Sequence, residues 1–293
     1  MDIINWIVNY RRFLKRRNYS PHTIKNYMNS LSQFAIWLDV PIEEATNRKI
    51  LQYIDFLLDR ALKPKTINSQ LDAIRGFYEY LHREEDVPIA NPVKRGYALR
   101  LSKPLPRHLK DEEVDQFLEA IKGFRDRAMF MLMLRSGLRV EEVANLTLEA
   151  IDFKRGHILV QNGKGGKDRI VYVSHDAFRA LVAYLKVRPS RTRMKKFFLV
   201  QKGLYKGKPI SVRGIQKRME YYARNTGLKI TCHRLRHTMA TQLLNASTDL
   251  VTIQDLLGHS RIRTTERYCK VSNRKVQRDY FKAMEVILQR IDD

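Results

Sequence analysis

The chain has 293 residues, of which 44% are hydrophobic, and this length fits two ordinary globular domains. Its 55 Lys and Arg against 31 Asp and Glu give a net charge of +24, and most of the excess lies after residue 100. Such an excess favours a polyanionic partner. Nucleic acid comes first, and a ribosome, an anionic membrane surface or general surface charging are the alternatives. The longest apolar run falls far short of the roughly 20 residues of a membrane span.

Two further features indicate the compartment. The charges near the amino terminus follow its apolar segment, whereas a secretory signal peptide places them before it. Cys232 and Cys269 lie far apart and have neither a metal-binding spacing nor a disulfide pattern. We therefore expect a soluble protein of the cytoplasm that does not associate with a membrane.

Apolar residues recur at helical spacing four times in the first hundred residues. Pro21 and Pro64 are placed as first helical residues, the former behind a serine that can cap the helix, and Thr46 can cap another. The helical pattern then stops at a cluster of prolines and asparagine. We predict four helices in a domain over residues 1–95, followed by a basic, aperiodic linker over residues 96–108.

Residues 109–293 are predicted to form a second domain that mixes helices with strands. Two strands, 157–161 and 169–174, flank a turn over 162–168 that is rich in Gly and Lys, and FFLV at 197–200 could be a third. Helical periodicity covers the ranges 111–121, 125–134, 140–146, 211–225, 233–245, 250–257 and 264–268. The expected fold is therefore mainly α with a small antiparallel β-sheet.

Common cofactor-binding motifs are absent from the sequence. The loop NGKGGKD lacks the spacing of a P-loop, and there is no H-E-x-x-H, EF-hand, G-x-S-x-G or dinucleotide-binding pattern. No set of carboxylates has the placement that a two-metal nuclease needs, although scattered acids leave that alternative open. We predict neither a cofactor nor a metal.

Four segments carry a distinctive pattern: SGLRVEEVANL (136–146), NGKGGKDR (162–169), CHRLRHTMATQLL (232–244) and LLGHSRIRTTERY (256–268). Their order, residue types and spacing resemble the catalytic domain of the tyrosine recombinase (lambda-integrase) family, closest to the Xer recombinases. The resemblance covers nearly the whole chain. It implies that the four-helix region is a SAM-like DNA core-binding domain and that the second domain is a mixed α/β tyrosine-recombinase catalytic domain.

The resemblance also implies roles for individual residues. The implied catalytic set is Arg139, Lys164, His233, Arg236, His259 and Tyr268, with Glu142 as a supporting acid. Lys167 competes with Lys164 for the lysine position, and either could be a solvated turn residue. Glu142 could instead be a plain helix-surface acid. His237, next to the second arginine, is expected to be structural.

The chemistry of these residue types fits cleavage of a DNA phosphodiester. Two guanidiniums can clamp the charged oxygens of the transition state, and His233 lies three residues from Arg236, on the same face of a helix. Tyr268 is a poor nucleophile at its ordinary pKa of about 10, and neighbouring cations favour the phenolate. Lys164 could protonate the 5′ leaving group. A 3′-phosphotyrosine would conserve the ester, so religation would need no ATP.

The resemblance further implies a partner and an assembly. The partner is double-stranded DNA with two short, nearly palindromic sites, and the basic residues between 191 and 224 either contact its phosphates or form solvated surface. A homotetramer on DNA is expected to exchange the amphipathic helix at about 276–293 between protomers, although this helix could pack on its own domain. We also expect Tyr268 to be held away from the phosphate position before DNA binds.

The resemblance implies a biological role in the resolution of chromosome or plasmid dimers, and hence in chromosome partition at cell division. The alternatives are an integrase or invertase of a mobile element, a relaxase like the type IB topoisomerases, and a DNA-binding architectural protein without catalytic activity. Recombinant products would separate a dimer-resolving recombinase and a mobile-element integrase or invertase from a relaxase. A covalent protein–DNA adduct would exclude the architectural protein.

Overall fold

A computed structural model describes residues 3–102, 107–161, 168–189 and 194–258, together with Thr265, Tyr280 and Met284. The chain divides into two compact units, Met1–Lys103 and Pro104–Asp293. Both are mainly helical, and the second contains a small antiparallel sheet, so the predicted fold class is confirmed. Lys164, His259 and Tyr268 lie outside the described residues, as does most of the predicted tail helix over 276–293.

The first unit contains the four predicted helices. They are α1 (Ile3–Arg16), α2 (Pro21–Trp37), α3 (Asn47–Asp59) and α4 (Pro64–Glu84). The Ser20 hydroxyl accepts a hydrogen bond from the backbone N–H of Thr23 at 3.1 Å, and the Thr46 hydroxyl accepts one from Lys49 at 3.4 Å. The predicted caps therefore begin these helices, because each satisfies a backbone donor that has no partner inside the helix.

An aromatic core holds the first unit together. Phe34, Tyr53 and Phe77 are fully buried, and the Tyr53 hydroxyl donates to the side-chain oxygen of Gln70 at 2.7 Å. Asn68 on α4 bonds the backbone of Leu99 twice, at 2.8 and 2.9 Å. The first part of the predicted linker is thus hydrogen-bonded to the first unit.

In the second unit, the described residues form several helices, one of which is apolar and central. They are α5 (Asp111–Ala120), α6 (Phe124–Arg135), α7 (Val140–Asn145), α8 (His175–Val187), α9 (Val212–Thr226), α10 (Cys232–Asn245) and α11 (Leu250–Leu257). Every residue of α6 from Ala128 to Leu134 is buried. A helix that is apolar on all sides belongs in the interior, and α6 forms the centre of this core.

The sheet consists of β1 (Ile151–Asp152), β2 (His157–Val160) and β3 (Arg169–Tyr172), in that order and antiparallel throughout. The two strands predicted on either side of the turn are confirmed. Val160, the last residue of β2, pairs with Arg169, the first residue of β3. The strand suggested for 197–200 was wrong. Residues 197–199 are all buried and lie outside the named strands, with one isolated bridge from Leu199 to Pro209.

Helix α8 was not predicted, although Asp176 lies in its first turn and its apolar residues have helical spacing. Within the described part of the chain, no helix is both long and apolar enough to cross a membrane.

Candidate active site

Arg139 lies directly before α7, and Glu142 in the first turn of that helix holds it at two points. The backbone N–H of Arg139 donates to Oε2 of Glu142 at 2.7 Å, and its Nη1 donates to Oε1 at 2.8 Å. The side chain of Glu142 is only 9% exposed. Glu142 therefore braces Arg139 and is not a plain helix-surface acid.

Arg169 is a second partner of the same carboxylate, and sequence reasoning missed it. Its Nη1 and Nη2 donate to Oε1 and Oε2 of Glu142, both at 2.8 Å. The Arg169 side chain is 10% exposed, and a buried guanidinium needs such partners. A signal existed, because Arg169 lies two residues from buried Val171 on the same strand and so shares its inward face.

The pKa of Glu142 reflects opposing effects. Burial raises this pKa, but the hydrogen bonds and charges of Arg169 and Arg139 lower it by more, and the resulting pKa is about 2. Glu142 is thus a carboxylate at any physiological pH. One negative charge between two guanidiniums leaves a net positive charge at this point.

Arg236 on α10 is nearly completely buried, with an exposed fraction of 2%. Its guanidinium donates to the backbone carbonyls of Gly137 and Leu257. Gly137 has a φ of +64°, and a Cβ there would lie 2.7 Å from the sulfur of Met239. Only glycine fits at this position without strain. The segment between α6 and α7 can therefore pass close to α10 and bring the Gly137 carbonyl to Arg236.

His233 lies in the first turn of α10, behind the cap formed by Thr231, whose hydroxyl accepts from the Arg234 N–H at 3.1 Å. His233 is exposed, and its ring centroid is 4.1 Å from that of His237 one turn later, at an interplanar angle of 72°. The predicted structural role of His237 is compatible with this edge-to-face contact. His233 therefore presents an accessible imidazole three residues from buried Arg236.

The carboxyl end of α11 joins these parts. Gly258 ends the helix in the left-handed conformation, with a φ of +58°. Three successive carbonyls, those of residues 256, 257 and 258, accept hydrogen bonds from Arg169, Arg236 and Arg139 respectively. The last carbonyls of a helix lack partners inside it and lie at the negative end of its dipole, so they suit cationic donors.

The site thus brings together Arg139, Glu142 and Arg236, with Arg169 as an addition, while His233 lies on the same helix as Arg236. Three guanidiniums against one carboxylate create a cationic centre, and such a centre can stabilise charge on phosphate oxygens. The predicted residues Lys164, His259 and Tyr268 are outside the described residues. No cluster of three or more His, Cys, Asp or Glu that could hold a metal occurs among the residues whose positions are described.

Known protein families match both parts of the chain. Residues 107–275 match the phage integrase family, and residues 6–86 match the phage integrase N-terminal SAM-like domain. Tyrosine recombinase XerC of Syntrophus aciditrophicus (strain SB) is 34% identical over 291 residues, which cover 91% of this chain and 93% of that protein.

Two solved structures have the same fold. A crystal structure of XerA recombinase is 25% identical and covers 95% of this chain and 98% of its own, with a TM-score of 0.55. A crystal structure of the XerH site-specific recombinase, bound to palindromic difH substrate in a post-cleavage complex, is 20% identical. It covers 90% of this chain and 80% of its own, with a TM-score of 0.73.

Proposed function

Because the chain belongs to the phage integrase family of tyrosine recombinases, we propose that it is a site-specific DNA recombinase that works through a 3′-phosphotyrosine on Tyr268. One observation carries the proposal. Arg139, directly before α7, and Arg236, on α10, bind adjacent carbonyls at the end of α11. The chain continues from that point to His259 and then, nine residues further on, to Tyr268.

In the proposed cleavage step, the guanidiniums of Arg139 and Arg236 hold the non-bridging oxygens of the scissile phosphate. The Tyr268 oxygen forms a bond to phosphorus while the bond from phosphorus to the 5′ oxygen breaks. The phenolic proton passes to His233 or to water, with His259 against the phosphate, and Lys164 gives a proton to the departing 5′ oxygen.

Religation reverses this step with the 5′ hydroxyl of another strand. The oxygen of that hydroxyl forms a bond to phosphorus and gives its proton back to Lys164. The bond from phosphorus to the Tyr268 oxygen breaks, and that oxygen takes a proton back from His233 or water. Each step exchanges one phosphate ester for another, so the energy of the bond is kept in the covalent intermediate and no nucleoside triphosphate is consumed.

The proposed biological role is resolution of chromosome or plasmid dimers, and hence chromosome partition at cell division in the cytoplasm. The XerC relative matches along nearly its whole length, and the XerH structure contains a palindromic site. We propose two short, nearly palindromic DNA sites, bound by a homotetramer whose helix at about 276–293 is exchanged between protomers. The proposed domains are residues 1–95 and 109–293.

Covalent trapping tests the chemistry. Nicked suicide duplexes that contain candidate sites from the host chromosome would be incubated with the wild type, Tyr268→Phe and Tyr172→Phe. Tyr172 is the matched control, because it is a 67% exposed tyrosine of the same unit that lies outside the helix proposed to be exchanged. A denaturation-resistant adduct is expected from the wild type and Tyr172→Phe only, with a 3′ linkage.

An adduct that persists in Tyr268→Phe would overturn the choice of nucleophile. Recombination is tested separately with plasmids that carry two copies of the trapped site. Exchange between the sites is expected, whereas relaxation of supercoiled plasmid without recombinant products would identify a relaxase instead.

A further inference from the structure

Arg169 connects two parts of the site that come from distant segments of the chain. Its terminal nitrogens bind Glu142 on α7, and its Nε donates to the carbonyl of Leu256 on α11 at 3.1 Å. We propose that Arg169 is a positioning residue that fixes the Arg139 guanidinium to the carboxyl end of α11. This inference rests on the proposed recombinase function.

The first arm of the connection runs through Glu142. Each oxygen of its carboxylate accepts from Arg169 at 2.8 Å and also from Arg139, at 2.7 and 2.8 Å. If Arg169 were lost, the carboxylate would retain Arg139 as its charged partner, and the pair would be neutral. Arg169 therefore fixes the direction of the Arg139 guanidinium and also leaves its positive charge available to a phosphate.

The second arm runs through the backbone that leads to the nucleophile. The Arg169 side chain packs against Gly258, where a Cβ would lie 3.0 Å from Cδ and 3.2 Å from Nε of Arg169. The carbonyl of Gly258 in turn accepts from Nη2 of Arg139 at 3.0 Å. Arg169 and Arg139 thus hold the same short stretch of backbone, and His259 is the next residue.

An arginine is required for this geometry. Three nitrogens of one planar group make three directed hydrogen bonds, two of them parallel bonds to a carboxylate. A lysine would keep the charge, but its single ammonium cannot reproduce the two parallel bonds and the third bond together. Arg169→Lys therefore separates the loss of orientation from the loss of charge.

The alternative role for Arg169 is to hold the turn that carries Lys164. Arg169 is the first residue of β3, and its backbone pairs with Val160 where that turn begins. A defect in Lys164 would reduce protonation of the leaving group, whereas a defect in Arg139 would weaken stabilisation of the phosphate. The two roles therefore predict different responses to the leaving group.

The test measures single-turnover adduct formation by the wild type, Arg169→Lys and Arg155→Lys at saturating protein. Arg155 is an exposed arginine in the turn before β2 and is the matched control. Each is assayed on a suicide duplex with a 5′ oxygen and on one with a 5′-bridging sulfur, because a thiolate leaves without a proton. DNA affinity and the thermal midpoint are measured alongside.

We expect Arg169→Lys to bind DNA nearly as tightly as the wild type and to cleave about 10²–10³-fold more slowly, the scale seen when one stabilising donor is removed. The reduction should be the same for both leaving groups, and Arg155→Lys should match the wild type. Normal cleavage by Arg169→Lys would overturn the inference. Rescue by the sulfur substrate would also overturn it, in favour of the Lys164 turn.

A second measurement keeps the test valid if Arg169→Lys is less stable. In a Glu142→Gln background, the further change Arg169→Lys should cost much less in cleavage rate than in the wild type, because the connection is already broken. Additive effects would contradict the inference. Failure of the wild type to form any tyrosine adduct would instead refute the proposed function, and this inference with it.

Discussion

Replacement of Glu142 by glutamine tests the electrostatics of the site most directly. The ordinary pKa of 4.5 falls to about 2 in the folded protein. That difference corresponds to roughly 3 kcal/mol of stability at neutral pH. Glutamine keeps the size of the side chain but leaves two guanidiniums without a negative partner, and breaking a largely buried ion pair costs a similar amount, about 3–5 kcal/mol.

The stability that Glu142 contributes depends on pH. A depressed pKa contributes stability that is fully present above about 4.5 and is lost as the pH falls towards about 2. The difference in unfolding free energy between wild type and Glu142→Gln should therefore be about 3 kcal/mol at pH 7 and less than half of that at pH 3. Urea unfolding of the two proteins at both pH values measures the difference.

Glu149→Gln is the matched control, because the Glu149 side chain is 74% exposed and its ion pair with Lys195 spans 3.7 Å. Exposed pairs of this kind contribute little, so its unfolding free energy should stay within about 0.5 kcal/mol of the wild type at both pH values. A Glu142→Gln deficit that is as large at pH 3 as at pH 7 would refute the reasoning, because the loss would then not depend on the carboxylate charge.

Three other predictions concern separate features. Gly137→Ala should destabilise the protein by about 1–3 kcal/mol in urea unfolding, because φ is +64° and a Cβ would meet a sulfur at 2.7 Å, whereas Gly96→Ala, with open space around it, should be nearly neutral. Burial raises the pKa of Cys232 to about 11, so in a Cys269→Ser background its thiol should react slowly with iodoacetamide at pH 8 and quickly in urea. Deletion of residues 276–293 should leave binding to a single half-site intact and abolish tetramer assembly, as measured by gel shift and analytical ultracentrifugation.

Local signals explain which elements could be predicted. The caps at Ser20 and Thr46 act on backbone groups three residues away. A few neighbouring residues in the sequence therefore determine where α2 and α3 begin. The apolar spacing in α8 is equally local, so the sequence carries a signal for this helix as well. The FFLV segment differs, because burial of three successive residues removes the alternation that would distinguish a strand from a buried loop.

The sequence alone determined the residue types of the site and their order along the chain: the arginine before α7, the H-x-x-R spacing on α10 and the tyrosine beyond α11. It did not identify Arg169, whose partners Glu142 and Leu256 are 27 and 87 residues away. Only the packing of α11 beside β3 and α10 brings its last three carbonyls to three arginines. Hydrogen bonds between such distant segments leave no periodic trace in the sequence, so only the tertiary structure could decide which cations share one helix end.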